Sequence, residues 1–280
     1  MRPDRPTLRM LDKTRLHARH GPIDLIISAD GVDVADVVSR MFPDILPGLV
    51  AELSDLRRPI FSGFAGPVAQ RMAQATRPFA PAFITPMAAV AGSVADFVLD
   101  ALLNAGARRA WVNNGGDIAV HLPDQAEFRV GLFNAPETDA RAGTISIDSS
   151  HRIGGIATSG WQGRSHSLGI ADAVTVLAHS AAAADAAATM IANATTIDDP
   201  AIERRPASEL SPDSDLGQRC VTTHVPNLSD ARKIEALASG KAFATQVLDR
   251  GLIRAVYLDV QGKYAVVSAP DAAFALEPAR

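Results

Sequence analysis

The longest apolar stretch of the chain, Ala80 to Leu103, restricts its possible folds more than any other segment. Thr85, Pro86, Asp96 and Asp100 interrupt it. Two carboxylates are too costly on a lipid-facing helix, so the stretch reads as a core helix and no membrane partner is expected. Within it Val90, Val94, Phe97, Val98, Ala101 and Leu102 follow the 3.6-residue period, which predicts an amphipathic helix from Met87 to Ala105. Gly106 stands where a left-handed C-cap is expected. Material for a core around such a helix is plentiful: 47% of the 280 residues are hydrophobic but only 5% aromatic, so the interior is Ala-rich.

A chain of this size buries roughly 75% of the surface it exposes when unfolded, so core size is not limiting. A single domain over residues 1–280 is expected, as one compact unit or two intimately packed lobes. Lys and Arg number 27 against 31 Asp and Glu, which leaves no overall basic footprint for nucleic acid. Cys220 is the single cysteine, so an intrachain disulfide framework and a multi-thiolate zinc site are excluded. The basic N-terminus leads into no apolar h-region and no small-residue cleavage site, so a cytoplasmic location is expected.

Short strands are predicted at Ile23–Ser28, Ala110–Asn113, Ile118–Leu122, Phe128–Phe133, Thr144–Asp148, Ile153–Ala157, Val174–Ala178, Ala255–Val260 and Tyr264–Ser268. The first 20 residues read as a solvated basic leader. Val34–Leu56 has helical spacing broken by Pro43 and Pro47, which predicts two short helices. An Ala-rich helix is expected from Ala181 to Asn193, and a last one from Asp230 to Arg250, divided near Ser239-Gly240. The acidic, Pro-containing segment 195–219 has no usable period and reads as a loop or flap. Mixed hairpin and crossover connections with helices between them indicate an α+β fold.

Three segments could carry chemistry. In Asn113-Asn114-Gly115-Gly116-Asp117 the glycines let a backbone approach a ligand closely, while Asp117 could orient a hydroxyl or ring nitrogen. A β-hairpin turn that needs Asn and Gly for positive φ reads the same way. Next, Thr158-Ser159-Gly160 follows a strand and offers hydroxyls and amides, with Arg164, His166 and Ser167 close behind. Arg164 and His166 could supply positive charge and proton transfer, as phosphate binding or acid/base chemistry requires, although a solvated Ser/Gly loop looks similar. Finally, Asp185 and Thr189 lie four apart on one face of the Ala-rich helix, where buried oxygens need a partner. A hard cation such as Mg²⁺ would serve, as would a hydrogen-bonded turn, and Asp near a helix start is also favoured by the dipole.

In this order, Gly92-Ser93-Val94-Ala95-Asp96, Asn113 to Asp117, Ala157-Thr158-Ser159-Gly160, His166, Val174-Thr175-Val176 and Ala184-Asp185 to Thr189 resemble the ApbE family, the FAD:protein FMN transferases. The resemblance runs from about Pro86 to Asn193. It is closer still to an uncharacterised UPF branch, through Pro86-Met87-Ala88-Ala89-Val90-Ala91-Gly92, Asn114-Gly115-Gly116-Asp117 and Ala171-Asp172-Ala173-Val174-Thr175-Val176. It implies an ApbE-type fold and a flavin nucleotide (FAD or FMN) held by the Asn114, Gly115, Gly116, Asp117 turn and by Thr158, Ser159, Gly160 and Ser167. It further implies Mg²⁺ near Asp185 and Thr189, with His166 and Arg164 as catalytic candidates. The family reaction moves FMN from FAD onto a Thr or Ser, with AMP leaving.

This chain departs from the family at two places. Ala91-Gly92 stands where the family has Lys-Gly, and Ser167-Leu168-Gly169-Ile170 replaces the Ile-x-Asp-Pro run after His166. A retained pocket with slow protein flavinylation is therefore expected. Alternative readings are a step in cofactor biosynthesis of the tetrahydromethanopterin-linked one-carbon type, and a non-catalytic ligand-binding module. A homodimer is expected because the long apolar helices of such folds often need a partner surface.

Overall fold

The structure is a computed structural model that describes residues 5–133, 141–163, 165–272 and 277–278. The chain opens with strands β1 (Thr7–Met10), β2 (Arg15–His20) and β3 (Ile23–Asp30). Helices α1 (Val34–Ala51), α2 (Leu53–Leu56), α3 (Pro67–Thr76) and α4 (Val90–Asn104) follow. Then come β4 (Arg109–Asn114), β5 (Asp117–His121), β6 (Glu127–Phe133), β7 (Arg141–Asp148), β8 (Gly155–Ser159) and β9 (Ala173–Ala178). Helix α5 (Ala181–Ala194) leads to β10 (Glu203–Pro206), α6 (Ala207–Leu210) and β11 (Cys220–His224). Helix α7 (Asp230–Asp249) and strands β12 (Ala255–Val260), β13 (Lys263–Ser268) and β14 (Glu277–Pro278) complete the order, and the expected α+β class holds.

Two compact units share these elements: residues 1–126, 148–157 and 178–186 form the first, the remainder the second. In the first unit β1-β2-β3-β4-β5-β8 lie side by side, and every adjacent pair is antiparallel. Leu25 and Ile27 of β3, Val112 of β4 and Ala119 of β5 point into one core with Val38 and Phe42 of α1, Met72 of α3 and Val94, Val98 and Leu102 of α4. The apolar stretch Ala80–Leu103 thus supplies α4, the central helix of this core, and Gly106 ends it at φ 102° as expected. In the second unit β12 is flanked antiparallel by β9 and β13, β10 pairs with β11, and β7 lies between β6 and β14.

Four local expectations change. The basic leader contains two strands, because Leu16, Ala18 and His20 are buried while Arg15 and Arg19 face outward; charge on the outer face hides the period of two. Helix α1 runs unbroken through Pro43 and Pro47. Its apolar row Val34, Val38, Phe42, Ile45, Leu49 is buried on the sheet, and this packing outweighs two missing amides. Helix α7 is likewise continuous across Ser239-Gly240, where the glycine lets α7 press on Thr195: a Cβ there would lie 2.1 Å from the Thr195 hydroxyl. Segment 195–219 carries β10 and α6, tied down by Arg204 on Thr196 and by the Ala207 and Ser208 amides on Arg219 and Gly217.

Candidate functional site

The Asn-Gly-Gly-Asp segment is the β4–β5 hairpin turn, with Asn114 paired to Asp117. Gly115 and Gly116 have φ of 63° and 117°, and Asn113 Oδ1 accepts the Gly116 amide at 2.8 Å. Here the turn demands its glycines. Asn114 does more than shape the turn. Its buried side chain donates to the Ala91 carbonyl at 3.1 Å and accepts the Asp24 amide at 3.4 Å, tying the hairpin to the start of α4.

At that start the Gly92 amide donates to Asp185 Oδ2 at 3.0 Å, and the Ala91 amide also hydrogen-bonds this carboxylate. Burial pushes the Asp185 carboxyl well above the ordinary carboxylate range; the negative charge of Asp117 adds to this and the two amides oppose it. One turn away the arrangement is mirrored. Asp96 of α4 accepts the Ala181 and Ala182 amides of α5 at 3.0 and 2.9 Å. Each helix thereby caps the other's first turn with a carboxylate, satisfying amides that no i−4 carbonyl can reach. Burial raises Asp96 too, against its two amides and Arg71, whose guanidinium stands 3.8 Å away and also binds Asp100 at 2.5 Å. The helices approach this closely because a Cβ on Gly92 would lie 2.3 Å from the Ala181 carbonyl oxygen. Gly154 and Gly155 leave the same room over His179 to Ala181.

In the second unit the Thr158 hydroxyl meets that of Thr175 at 2.8 Å, on an exposed residue, and Ser159 is half-buried. Gly160 presses on the Asp172 carbonyl, where a Cβ would come within 2.2 Å. Ser167 is buried, its hydroxyl between Asn193 Oδ1 and the Gly169 amide. His166 is half-buried just before it, and Arg164 lies outside the described residues. Thr189 follows Asp185 by one turn of α5. Among the described residues no group of three or more His, Cys, Asp or Glu side chains is placed to hold a metal ion. The sequence thus brings Asn114, Asp117 and Asp185 together in the first unit. It did not single out Arg71, nor Asp96 beyond its place in the helix; the signal for Asp96 is its position four residues after Gly92, on the same helix face.

A model of the family described as "AbpE bacteria" matches residues 8–266. The chain belongs to this family. Its relatives include the UPF0280 protein of Methanothrix thermoacetophila, 39% identical over 135 residues, or 48% of this chain and 54% of that protein. The UPF0280 protein of Methanopyrus kandleri is 38% identical over 146 residues, 52% of this chain and 56% of its own. The chain spans about half the length of the curated relatives it matches. Among solved structures, the apo form of the Pseudomonas stutzeri flavinyl transferase ApbE matches with a TM-score of 0.51 at 13% identity, over 97% of both chains. The family's fold and the UPF branch are as the sequence motifs imply.

Proposed function

We propose that this family member binds a flavin nucleotide, or a similar phosphorylated cofactor, at the end of the β4–β5 hairpin and the Asp185 turn of α5, together with Mg²⁺. The observation that carries the reading is Asp185, a carboxylate desolvated against Asp117, with one oxygen committed to the Gly92 amide. Hard oxygen donors of this kind suit Mg²⁺, which usually takes one or two carboxylates and completes its shell with phosphate oxygens and water. When bound, the cation would neutralise pyrophosphate charge. Asp185 and Asp117 would hold it, Gly115 and Gly116 would let phosphate oxygens approach the backbone, and Asn114 keeps the turn against Ala91. Membership of the family and the flavinyl-transferase neighbour support a flavin. Ala91 presents only its backbone to Asn114 and Asp185, so this position brings no positive charge, and transfer of FMN to a Thr-containing acceptor should be slow.

Titration of the purified protein with FMN and with FAD, with and without MgCl₂, tests the reading through flavin fluorescence. Mg²⁺-dependent quenching that Asp185→Asn and Asp117→Asn abolish is expected; binding indifferent to both would overturn it. AMP release from FAD would add catalysis, while robust Mg²⁺-dependent labelling of an acceptor peptide would refute the slow-transfer part. Thr158→Ala, His166→Ala, Arg164→Ala and Thr189→Ala are each assayed singly for their own contribution. A pterin-like compound extracted from the isolated protein would favour cofactor biosynthesis.

A further inference from the structure

The reciprocal caps divide the work unequally. Asp185 faces Asp117 as well as the α4 amides, whereas both oxygens of Asp96 are spent on α5. Gly92 and Asp96 occupy one face of α4, four residues apart, and Ala181 and Asp185 occupy one face of α5 at the same spacing. The two rows meet crosswise. Gly92 touches Ala181 and donates to Asp185, while Asp96 receives the Ala181 amide. The height at which Asp96 grips the first turn of α5 therefore determines where Asp185, one turn later, stands against Gly92.

We propose that Asp96 is a positioning residue: by holding the Ala181 and Ala182 amides it sets the register that places the Asp185 carboxylate on the Gly92 and Ala91 amides. Arg71, 3.8 Å away, balances its buried charge. The placement of Asp185 stands on geometry alone; only its consequence for ligand binding rests on the flavin reading above.

Amide hydrogen exchange on the ligand-free protein separates this role from a local cap. A local cap makes Asp96→Asn expose only Ala181 and Ala182. A positioning role makes the Ala91 and Gly92 amides on the other helix lose protection as well, by about tenfold, the value of one lost capping bond. Ile191, farther along α5, should keep its protection. Asp96→Ser, which is shorter and retains one acceptor, is measured in the same way should the Asn variant not fold. Unchanged protection at Ala91 and Gly92 would overturn the proposal. Unfolding of both variants would overturn it too, because Asp96 would then hold the fold as a whole and not the register of one carboxylate. In a second arm, FMN with MgCl₂ is titrated into wild type and variant. Weaker binding by the variant supports the proposal, and equal binding by both counts against it. Failure of the wild type to bind FMN refutes the flavin reading and leaves the exchange result to decide this one.

Discussion

Asp185 stands between two amides that stabilise its charge and a second carboxylate that opposes it, in surroundings that desolvate it. Burial of an ion costs several kcal/mol before its partners offset it. Asp185→Asn removes the charge and keeps one oxygen for the Gly92 amide, so without ligand the variant should melt within about 1 kcal/mol of wild type or above it. On the proposed reading, Mg²⁺ with FMN should stabilise wild type, and the same variant should lose that gain. Thermal shifts of both proteins, with and without those additions, check this; equal shifts would make Asp185 a capping residue only. At this scale the sequence was half legible. Asp185 stood out because alanines surround it, and Asn114 and Asp117 because a turn motif marks them. The partners that decide the chemistry of Asp185, the Gly92 amide and the Asp96 carboxylate, lie about 90 residues away in sequence, and no local pattern encodes such a pairing.

At the level of elements, some glycines mark where backbones meet and others face open space, so the same substitution has opposite outcomes. Gly92→Ala drives a Cβ into the Ala181 carbonyl group, 2.3 Å from its oxygen and 2.5 Å from its carbon. Neither backbone atom can move aside without shifting α5, so a loss of about 3 kcal/mol is expected, at the severe end of overpacking. Gly48, inside α1, has nothing within 4 Å of the added methyl, and Gly48→Ala should gain about 0.5–1 kcal/mol by restricting the unfolded chain. Chemical denaturation of the two variants beside wild type measures both, and a Gly92→Ala protein as stable as Gly48→Ala would refute the close approach. The central helix and strands such as β3 and β4 were legible because each buries one face, whereas β9 and β12, buried along their whole length, were legible as short apolar runs. What was not legible shares one cause: tertiary packing outweighs local signals. Pro43 and Pro47 lie within a helix whose opposite stripe is buried, Gly240 serves contact and not termination, and the arginines of β2 conceal its buried row.

Over the whole molecule, charge burial sets the pH response. Asp96, Asp172, Asp185 and Asp259 are all held above their ordinary value of 3.8, with burial the largest cause in each case. Asp172 is steadied by the Gln261 amide and Trp161, and Asp259 by the Gly262 amide and Tyr257, but these donors do not cancel the desolvation. An acid raised on folding binds its proton in the native state at a pH where the unfolded chain has already released it. Native protein then holds more protons than unfolded protein, so stability rises as pH falls from neutral through the raised values, and the gain is complete below 3.8. Asp12, Asp148, Asp199 and Asp230 act in the opposite sense: hydrogen bonds and ion pairs lower them, and the stability they lend is lost as pH falls below the ordinary carboxylate value. Asp12, Asp148 and Asp230 lie at the surface, where solvent screens them, Asp199 is half-buried against Arg232, and the loss from all four begins only in stronger acid. The melting temperature should therefore be higher near about pH 5 than at about pH 7.5, and fall again below about pH 4. Calorimetry at constant ionic strength follows the profile. A steady decline from neutral pH downward would show that the four buried carboxylates are ionised in the native state at no net cost, and that their donors match their burial after all.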